Sequence, residues 1–294
     1  MMDRMFVTNP FDGSPVGEMV LSSERDVETA LATAAKTHEA NRKGLPKHER
    51  IAILKKAAEI MVGRSDELAM LIAAEGGKPL IDARVEVARA IDGVETCASE
   101  IAHNAGVEIP MDLTPAGNNK LAFTTKEPIG PVVAVSAFNH PLNLIVHQVA
   151  PAVAAGNPVI VKPADDTPLS CKLFVDILHQ AGLPPMWAQC ICCEVSLAQK
   201  LVTDERAAFF SFIGSAVVGW KLRSLLAPGT RVALEHGGVA PVIIGPSADK
   251  DQLIPSLVKG GFYHSGQVCV SVQRVFSYGA SSRALAEGLS LIHI

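Results

Sequence analysis

The sequence predicts an α/β fold in which a doubly wound parallel sheet follows a group of helices and leads into the start of a second α/β unit. Three observations predict it. From Val132 onward, short β-prone runs alternate with helical periodicity in four successive units, and parallel strands require such crossovers. Between Pro128 and Val161 there is no Asp, Glu, Lys or Arg, as expected of strands and helices buried on both sides. Hydrophobic residues make up 48% of the chain and aromatic residues only 5%, which calls for a large aliphatic core.

In chain order, the first hundred residues read as helical. Ser23 and Asp26 resemble a capping box ahead of Val27, Leu31, Ala34 and Ala35 at helical spacing. Ile51, Leu54, Ala58 and Met61 begin a helix after Pro46, and Leu68, Leu71 and Ile72 continue it until Gly76-Gly77 and Pro79. Ile81, Val85, Ala88, Ile91 and Val94 mark the apolar face of the next. Near Pro110 the character changes, and Gly117-Asn118-Asn119 signals a turn before the β-prone run 121–125. Strands at 132–136, 158–162, 187–193 and 208–212 then alternate with helices at 141–155 and 168–181, a short helix, and a helix at 215–226, giving a Rossmann-like domain. Strands at 231–235 and 242–244, a helix near 249–259 and a strand near 272–276 open a further layer.

Composition excludes several classes of function. The 294 residues suffice for about two domains. Twenty-six Lys+Arg against 30 Asp+Glu, with no basic run, argue against a nucleic-acid partner. A membrane span needs roughly 20 apolar residues, but the charge-free run is broken by Pro131, Pro141, Pro151 and Pro158, so no membrane association is expected. Met1 to Phe11 carries charges and a proline where a signal peptide has an apolar core, and the six cysteines follow no framework spacing. A reducing cytoplasm is the expected compartment. Cys190, Cys192 and Cys193 lack the separated pairs of a zinc site, and no metal is expected.

Ligands of open α/β sheets sit at the carboxyl ends of the strands. There the sequence carries Ala137-Phe138-Asn139, Lys162-Pro163-Ala164-Asp165 and Phe212-Ile213-Gly214-Ser215. Gly214 to Gly219 is a Gly-x-x-x-x-Gly loop opening a helix, which reads either as a plain strand-to-helix turn or as a pyrophosphate site. Trp220-Lys221 replaces the Lys-Ser/Thr of a nucleotide-hydrolysing loop, and no Gly-x-Gly-x-x-Gly occurs. Cys269, in a glycine-punctuated loop, is either a small filler or a nucleophile; the latter needs a base or cation beside it. Glu235, at the end of a β-prone run, is either a solvated strand end or that base. His264 also lies close in sequence. From the residues alone the reading is a nucleotide-binding α/β protein with a candidate Cys–Glu pair.

Seven motifs taken together resemble the NAD(P)-dependent aldehyde dehydrogenase family. They are Asn9-Pro10-Phe11-Asp12-Gly13, Gly76-Gly77-Lys78-Pro79, Phe138-Asn139-His140-Pro141-Leu142-Asn143, Val161-Lys162-Pro163-Ala164, Phe212 with Gly214-Ser215 and Gly219, Leu234-Glu235 with Gly237-Gly238, and Gly266-Gln267-Val268-Cys269. They stand in the family's order and spacing over about residues 7–276.

The resemblance implies that Cys269 attacks the aldehyde carbonyl, that Asn139 and the Cys269 backbone N–H hold the oxyanion, and that Glu235 activates the water that hydrolyses the thioester. It further implies that Ala137, Phe138, Lys162 and Asp165 line the cofactor, the last two at the adenosine ribose, with Gly214, Ser215 and Gly219 at the pyrophosphate. The expected cofactor is NAD, with NADP possible, because Asp165 would repel a 2′-phosphate. The expected domains are a cofactor-binding domain of 1–109 and 127–235, an oligomerisation hairpin at 110–126, and a partial catalytic domain at 236–294. The substrate is expected to be a small aldehyde, and the full-length form a homo-dimer or homo-tetramer. His236, Ile213 and Asp165 depart from the residues common at those positions. Similarity decays after Phe276, so a C-terminally truncated chain with a non-native tail at 289–294 is expected. Such a chain is expected to be poorly active and poorly soluble, with an open sheet edge at 110–126 and thin cover over Leu253, Ile254, Leu257 and Val258. The alternatives are a CoA-acylating aldehyde dehydrogenase, a class whose members generally lack the glutamate, and a non-catalytic fragment.

Overall fold

The computed structural model describes residues 3–278 and 281–291. Its elements are β1 (Arg4–Thr8), β2 (Pro15–Val20), α1 (Glu24–Ala40), α2 (Lys47–Gly63), α3 (Ser65–Gly76), α4 (Leu80–His103), β3 (Glu108–Ile109), β4 (Ala122–Phe123), β5 (Val132–Val135), α5 (Asn143–Ala154), β6 (Val159–Lys162), α6 (Leu169–Gln180), β7 (Ala188–Cys190), α7 (Val195–Thr203), β8 (Phe209–Gly214), α8 (Ala216–Ser224), β9 (Arg231–His236), β10 (Pro241–Ile244), α9 (Lys250–Phe262), β11 (Arg274–Ser277) and α10 (Ser281–Leu291). Two compact units result: residues up to Ile213 with Trp220–Leu234, and Gly214–Gly219 with the residues from Glu235 onward.

The first unit is organised by a five-stranded sheet of order β7-β6-β5-β8-β9, in which β6 and β8 flank β5 in parallel and β7 continues in parallel beyond β6. This is the doubly wound fold the sequence predicts. Side chains alternate across the sheet as the period of two demands. Val132, Ala134, Val159 and Val161 pack beneath α2 to α6. Val133, Ile160, Phe210 and Phe212 face α1, α7 and Leu222 of α8 instead. A sheet covered on both faces explains why its strands read as continuous apolar runs.

Four expectations are corrected in this unit. The first hundred residues are not all helical, because β1 and β2 form an antiparallel hairpin with Arg4 opposite Val20. Only Val7 and Met19 of it are buried, too few for an alternating pattern to stand out. The helix read from Ile51 to Gly76 is two helices. It breaks at Arg64, whose backbone leaves the helical region (φ −115°, ψ 19°) while its guanidinium grips Glu67 at 2.6 and 2.7 Å. The face of α4 is not that of Ile81, Val85 and Ala88, which are exposed; Ala83, Glu86, Val87, Ala90, Val94, Ala98 and Ile101 are buried. A glutamate in the true stripe shifts the apolar pattern. The strand read at 187–193 ends at Cys190, although Cys192 and Cys193 beyond it are buried.

The predicted capping box is present, with the Ser23 hydroxyl accepting from Asp26 N and the Asp26 carboxylate from Ser23 N. The β-prone run near residue 121 supplies β4, whose antiparallel partner is Glu108–Ile109, just ahead of the expected hairpin.

In the second unit, β10 and β11 pair in parallel around α9, the start of a second α/β layer. Leu253, Ile254 and Leu257 are not stripped of cover. They pack with Ile244, Val272, Leu285 and Leu289. Its exposed apolar side chains include Ile243, Phe276 and Tyr278, as well as Val217, Phe262 and Val270. Of the tail at 289–294, residues 292–294 lie outside the described residues.

Candidate active site

The strand order reverses between β5, the central strand, and β8 beside it, so the carboxyl end of β5 is where an α/β ligand site is expected. Gln148 of α5 ties the two strands there, its amide donating to Val135 O at 3.2 Å and Ser211 O at 3.1 Å. Beyond β5, Ala137 and Asn139 are half-buried and Phe138 is exposed. The Asn139 carbonyl accepts from Lys78 Nζ at 2.9 Å, and the Phe138 carbonyl from Thr167 Oγ1 at 3.3 Å.

Lys162 ends β6 with a buried side chain, 7% exposed, that donates to Asp165 Oδ1 at 2.6 Å and Pro163 O at 3.0 Å. Asp165 is 51% exposed, so one end of this ion pair faces solvent. Such a pair suits a diol, for which a carboxylate accepts and an ammonium donates.

The helices that follow β5 and β6 have their N-termini filled by carboxyl groups from the helical layer. Glu86 of α4 accepts from Leu142 N and Asn143 N, both at 3.0 Å, and Glu75 of α3 accepts from Leu169 N at 2.8 Å and Ser170 N at 3.0 Å. Those amides are therefore not open to a phosphate. The start of α8 differs: residues 215–218 are exposed, the Ser215 hydroxyl accepts from Val218 N at 3.4 Å, and Gly219 is buried against the turn with its N–H on Ser215 O at 3.0 Å. This is the geometry in which a helix start can hold an anion. A pyrophosphate-bearing dinucleotide thus fits the residues present. Among the described residues there is no group of three His, Cys, Asp or Glu suited to a metal ion, and no helix is long and apolar enough to cross a membrane.

In the second unit, Glu235 lies near the end of β9 and is exposed, because along this strand Val232 and Leu234 are the residues that turn to the core. The chain then passes through Gly237-Gly238. Position 238 abuts the Cys269 loop: a Cβ there would lie 3.2 Å from Cys269 O. Gln273 binds the same segment, donating from Nε2 to Gly238 O and from its backbone N to Val239 O, both at 3.1 Å. Ahead of Cys269, His264, Ser265 and Gly266 take successive positive φ angles of 50°, 56° and 75°. Non-glycine residues hold such angles at a cost of about 1–3 kcal/mol each and only where their surroundings enforce them. Here Ser271 Oγ donates to Gly266 O at 2.9 Å and Gln267 N to His264 O at 3.0 Å. The left-handed turn delivers Cys269 to the surface, while His264 is buried.

The other thiols have different surroundings. Burial pushes Cys97 and Cys192 up to about 11, and raises Cys193 and Cys171 as well, which keeps them protonated and inert. All six cysteines are free, including Cys171 and Cys190, whose sulfurs lie 3.7 Å apart.

The Aldehyde dehydrogenase family model matches residues 2–287. The chain belongs to the aldehyde dehydrogenase family. It is 34% identical over 275 residues to the 3-sulfolactaldehyde dehydrogenase of Priestia aryabhattai, covering 93% of this chain and 57% of that protein. The crystal structure of aldehyde dehydrogenase 21 from Physcomitrella patens, in complex with the reaction product succinate, superposes with a TM-score of 0.93 at 33% identity, covering 99% of this chain and 60% of that one. The NADP-dependent glyceraldehyde-3-phosphate dehydrogenase from Bacillus halodurans, complexed with NADP, superposes with a TM-score of 0.93 at 30% identity, over 99% of this chain and 61% of that one. The chain therefore spans a little more than half the length of these relatives.

Sequence reasoning assigned no role to Lys78 and passed over Glu75 and Glu86. Their signal was present as charged residues at buried helical spacing, with Glu86 three residues after Ala83 and four before Ala90.

Proposed function

We propose that the protein carrying this chain oxidises a small polar aldehyde to its carboxylic acid with a nicotinamide dinucleotide. The observation that carries the reading is the exposed Cys269, held by a left-handed turn against the Gly237-Gly238 segment two residues beyond Glu235. In this reading the Cys269 sulfur bonds to the aldehyde carbon, and its oxygen becomes an alkoxide that accepts from the Asn139 amide and the Cys269 backbone N–H. Losing one such donor lowers the rate by roughly 10²–10³. The nicotinamide cofactor, when bound, supplies the hydride acceptor. Cys269 is left as a thioester. Glu235 removes a proton from the attacking water, and the tetrahedral adduct expels the thiolate as the acid forms.

Ala137, Phe138, Lys162 and Asp165, with Gly214, Ser215 and Gly219, are the residues proposed to hold the dinucleotide. The boundaries proposed above for the cofactor-binding, hairpin and catalytic segments belong to the same reading, as does a homo-dimeric or homo-tetrameric, cytoplasmic enzyme; the free cysteines support that compartment. The substrates that two relatives are named for, a sulfolactaldehyde and a phosphorylated glyceraldehyde, support a small aldehyde bearing polar groups. The deciding measurement is acid release from a panel of such aldehydes with NAD and no CoA. Acid without CoA is expected; acyl-CoA formed only with CoA supports the acylating alternative.

A further inference from the structure

We propose that Lys78 and Glu86 are positioning residues for Asn139, holding its loop from both ends through one buried ion pair. The proposal rests on the reading of Asn139 as an oxyanion donor. Both side chains are almost wholly buried, at 1% and 0% exposed, and Lys78 Nζ lies 2.5 Å from Glu86 Oε2. The remaining bonds of the pair go to one short stretch of main chain. Lys78 Nζ donates to the carbonyl of Asn139 at 2.9 Å, and Glu86 Oε1 accepts from the amides of Leu142 and Asn143 at 3.0 Å each. The ring Asn139–Lys78–Glu86–Leu142 is closed, so the peptide planes on both sides of His140-Pro141 are held. Holding the carbonyl of Asn139 restricts rotation about its Cα–C bond and so narrows the direction in which its side chain leaves the backbone.

Helix capping alone does not account for the lysine. Glu75 caps α6 through the same two-amide contact, with no lysine among its hydrogen-bond partners in the described residues. At α5 a lysine has been buried as well, despite the cost of desolvating it, and the bond it adds is the one to Asn139. Gly77, in the left-handed region at φ 61°, closes α3 and turns the chain so that Lys78 enters the interior before Pro79 starts α4.

The test is a double-mutant cycle. Lys78→Met with Glu86→Gln removes both charges together, so neither is left buried and unpaired, and the glutamine oxygen can still accept from α5. Oxidation of the best aldehyde in the panel is measured for this variant, for Asn139→Ala and for their combination. The paired variant is expected to lose about 10- to 100-fold in kcat with little change in KM for NAD, the size of loss a misplaced catalytic group produces. Combined with Asn139→Ala it is expected to cost no more than Asn139→Ala alone, because both act through one group. Multiplying losses in the combination would overturn the positioning role while leaving the oxyanion reading intact. A fully active Asn139→Ala would overturn both. Lys78→Met alone serves if the paired variant does not fold, because Glu86 keeps the amides of Leu142 and Asn143 as partners. Hydrogen exchange on the 294-residue chain adds a readout without turnover: in the paired variant, where a neutral amide oxygen replaces the carboxylate, the Leu142 and Asn143 amides are expected to exchange faster while Leu169 and Ser170 do not change. Unchanged protection at Leu142 and Asn143 overturns the proposal.

Discussion

At the scale of single residues, the six cysteines divide by environment. Four are raised by burial and sit in the packed interior or its margin, whereas Cys269 rides an exposed strained turn. Cys269→Ser is therefore expected to abolish aldehyde oxidation, while replacement of each of the other five leaves it nearly intact; normal turnover by the serine variant refutes the assignment. Glu235→Gln is expected to slow deacylation, so that acylated protein accumulates and is seen by mass spectrometry as an added acyl mass. The Lys162–Asp165 pair bears on cofactor choice. The exposed carboxylate disfavours a 2′-phosphate, so NAD is expected to be preferred, and Asp165→Ser, which leaves the Lys162 ammonium unpaired, is expected to raise kcat/KM for NADP at least tenfold. Comparable kcat/KM for the two cofactors in the unaltered protein is the contrary result.

At the scale of elements, the N-termini of α5 and α6 are capped by side chains from other helices, so α3 and α4 act as part of the sheet domain rather than as a separate bundle. The cap of α6 makes stability depend on pH. Burial pushes the Glu75 carboxyl from an ordinary 4.5 up to about 7, against the opposing hydrogen bonds from Ser170 and Leu169. A carboxyl that binds its proton more tightly when folded stabilises the native state most below its unfolded value. That contribution is lost as pH rises from about 4.5 to about 7, and amounts to about 3 kcal/mol over the interval. Urea unfolding of the protein and of Glu75→Gln, compared at matched pH between 5 and 8, is expected to show the difference moving in the variant's favour as pH rises. A difference that does not vary with pH rules this out.

At the scale of the whole molecule, the first unit contains two extended cores on either side of its sheet, whereas the second has a small one around Ile244, Leu257 and Leu285. One apolar patch on the second unit is formed by Ile243, Phe276 and Tyr278, exposed by 74%, 53% and 68%. Contiguous patches of that kind promote association. The 294-residue chain is expected to run larger than a monomer in size-exclusion chromatography at micromolar concentration. Ile243→Glu with Phe276→Glu is expected to shift it toward the monomer; an unaltered elution volume places the contact elsewhere.

The strand and helix alternation after Val132, the sheet's burial on both faces and the positions of Asn139, Lys162, Gly214, Glu235 and Cys269 were legible from the residues, since period, apolar runs and turn signals are local properties of a chain. The hairpin of β1 and β2, the break at Arg64 and the face of α4 were not. A pattern that counts apolar residues treats a charge as a mark of solvent, and Glu86 inverts that rule because its partners Leu142 and Asn143 arrive from 56 and 57 residues away, just as Lys78 meets Asn139 across 61. Only tertiary structure can bring a buried charge its counter-charge and its amides. What the sequence determined by itself was therefore the architecture and the candidates for the reactive groups. What the folded chain decided was which charges are buried and which main-chain groups they meet.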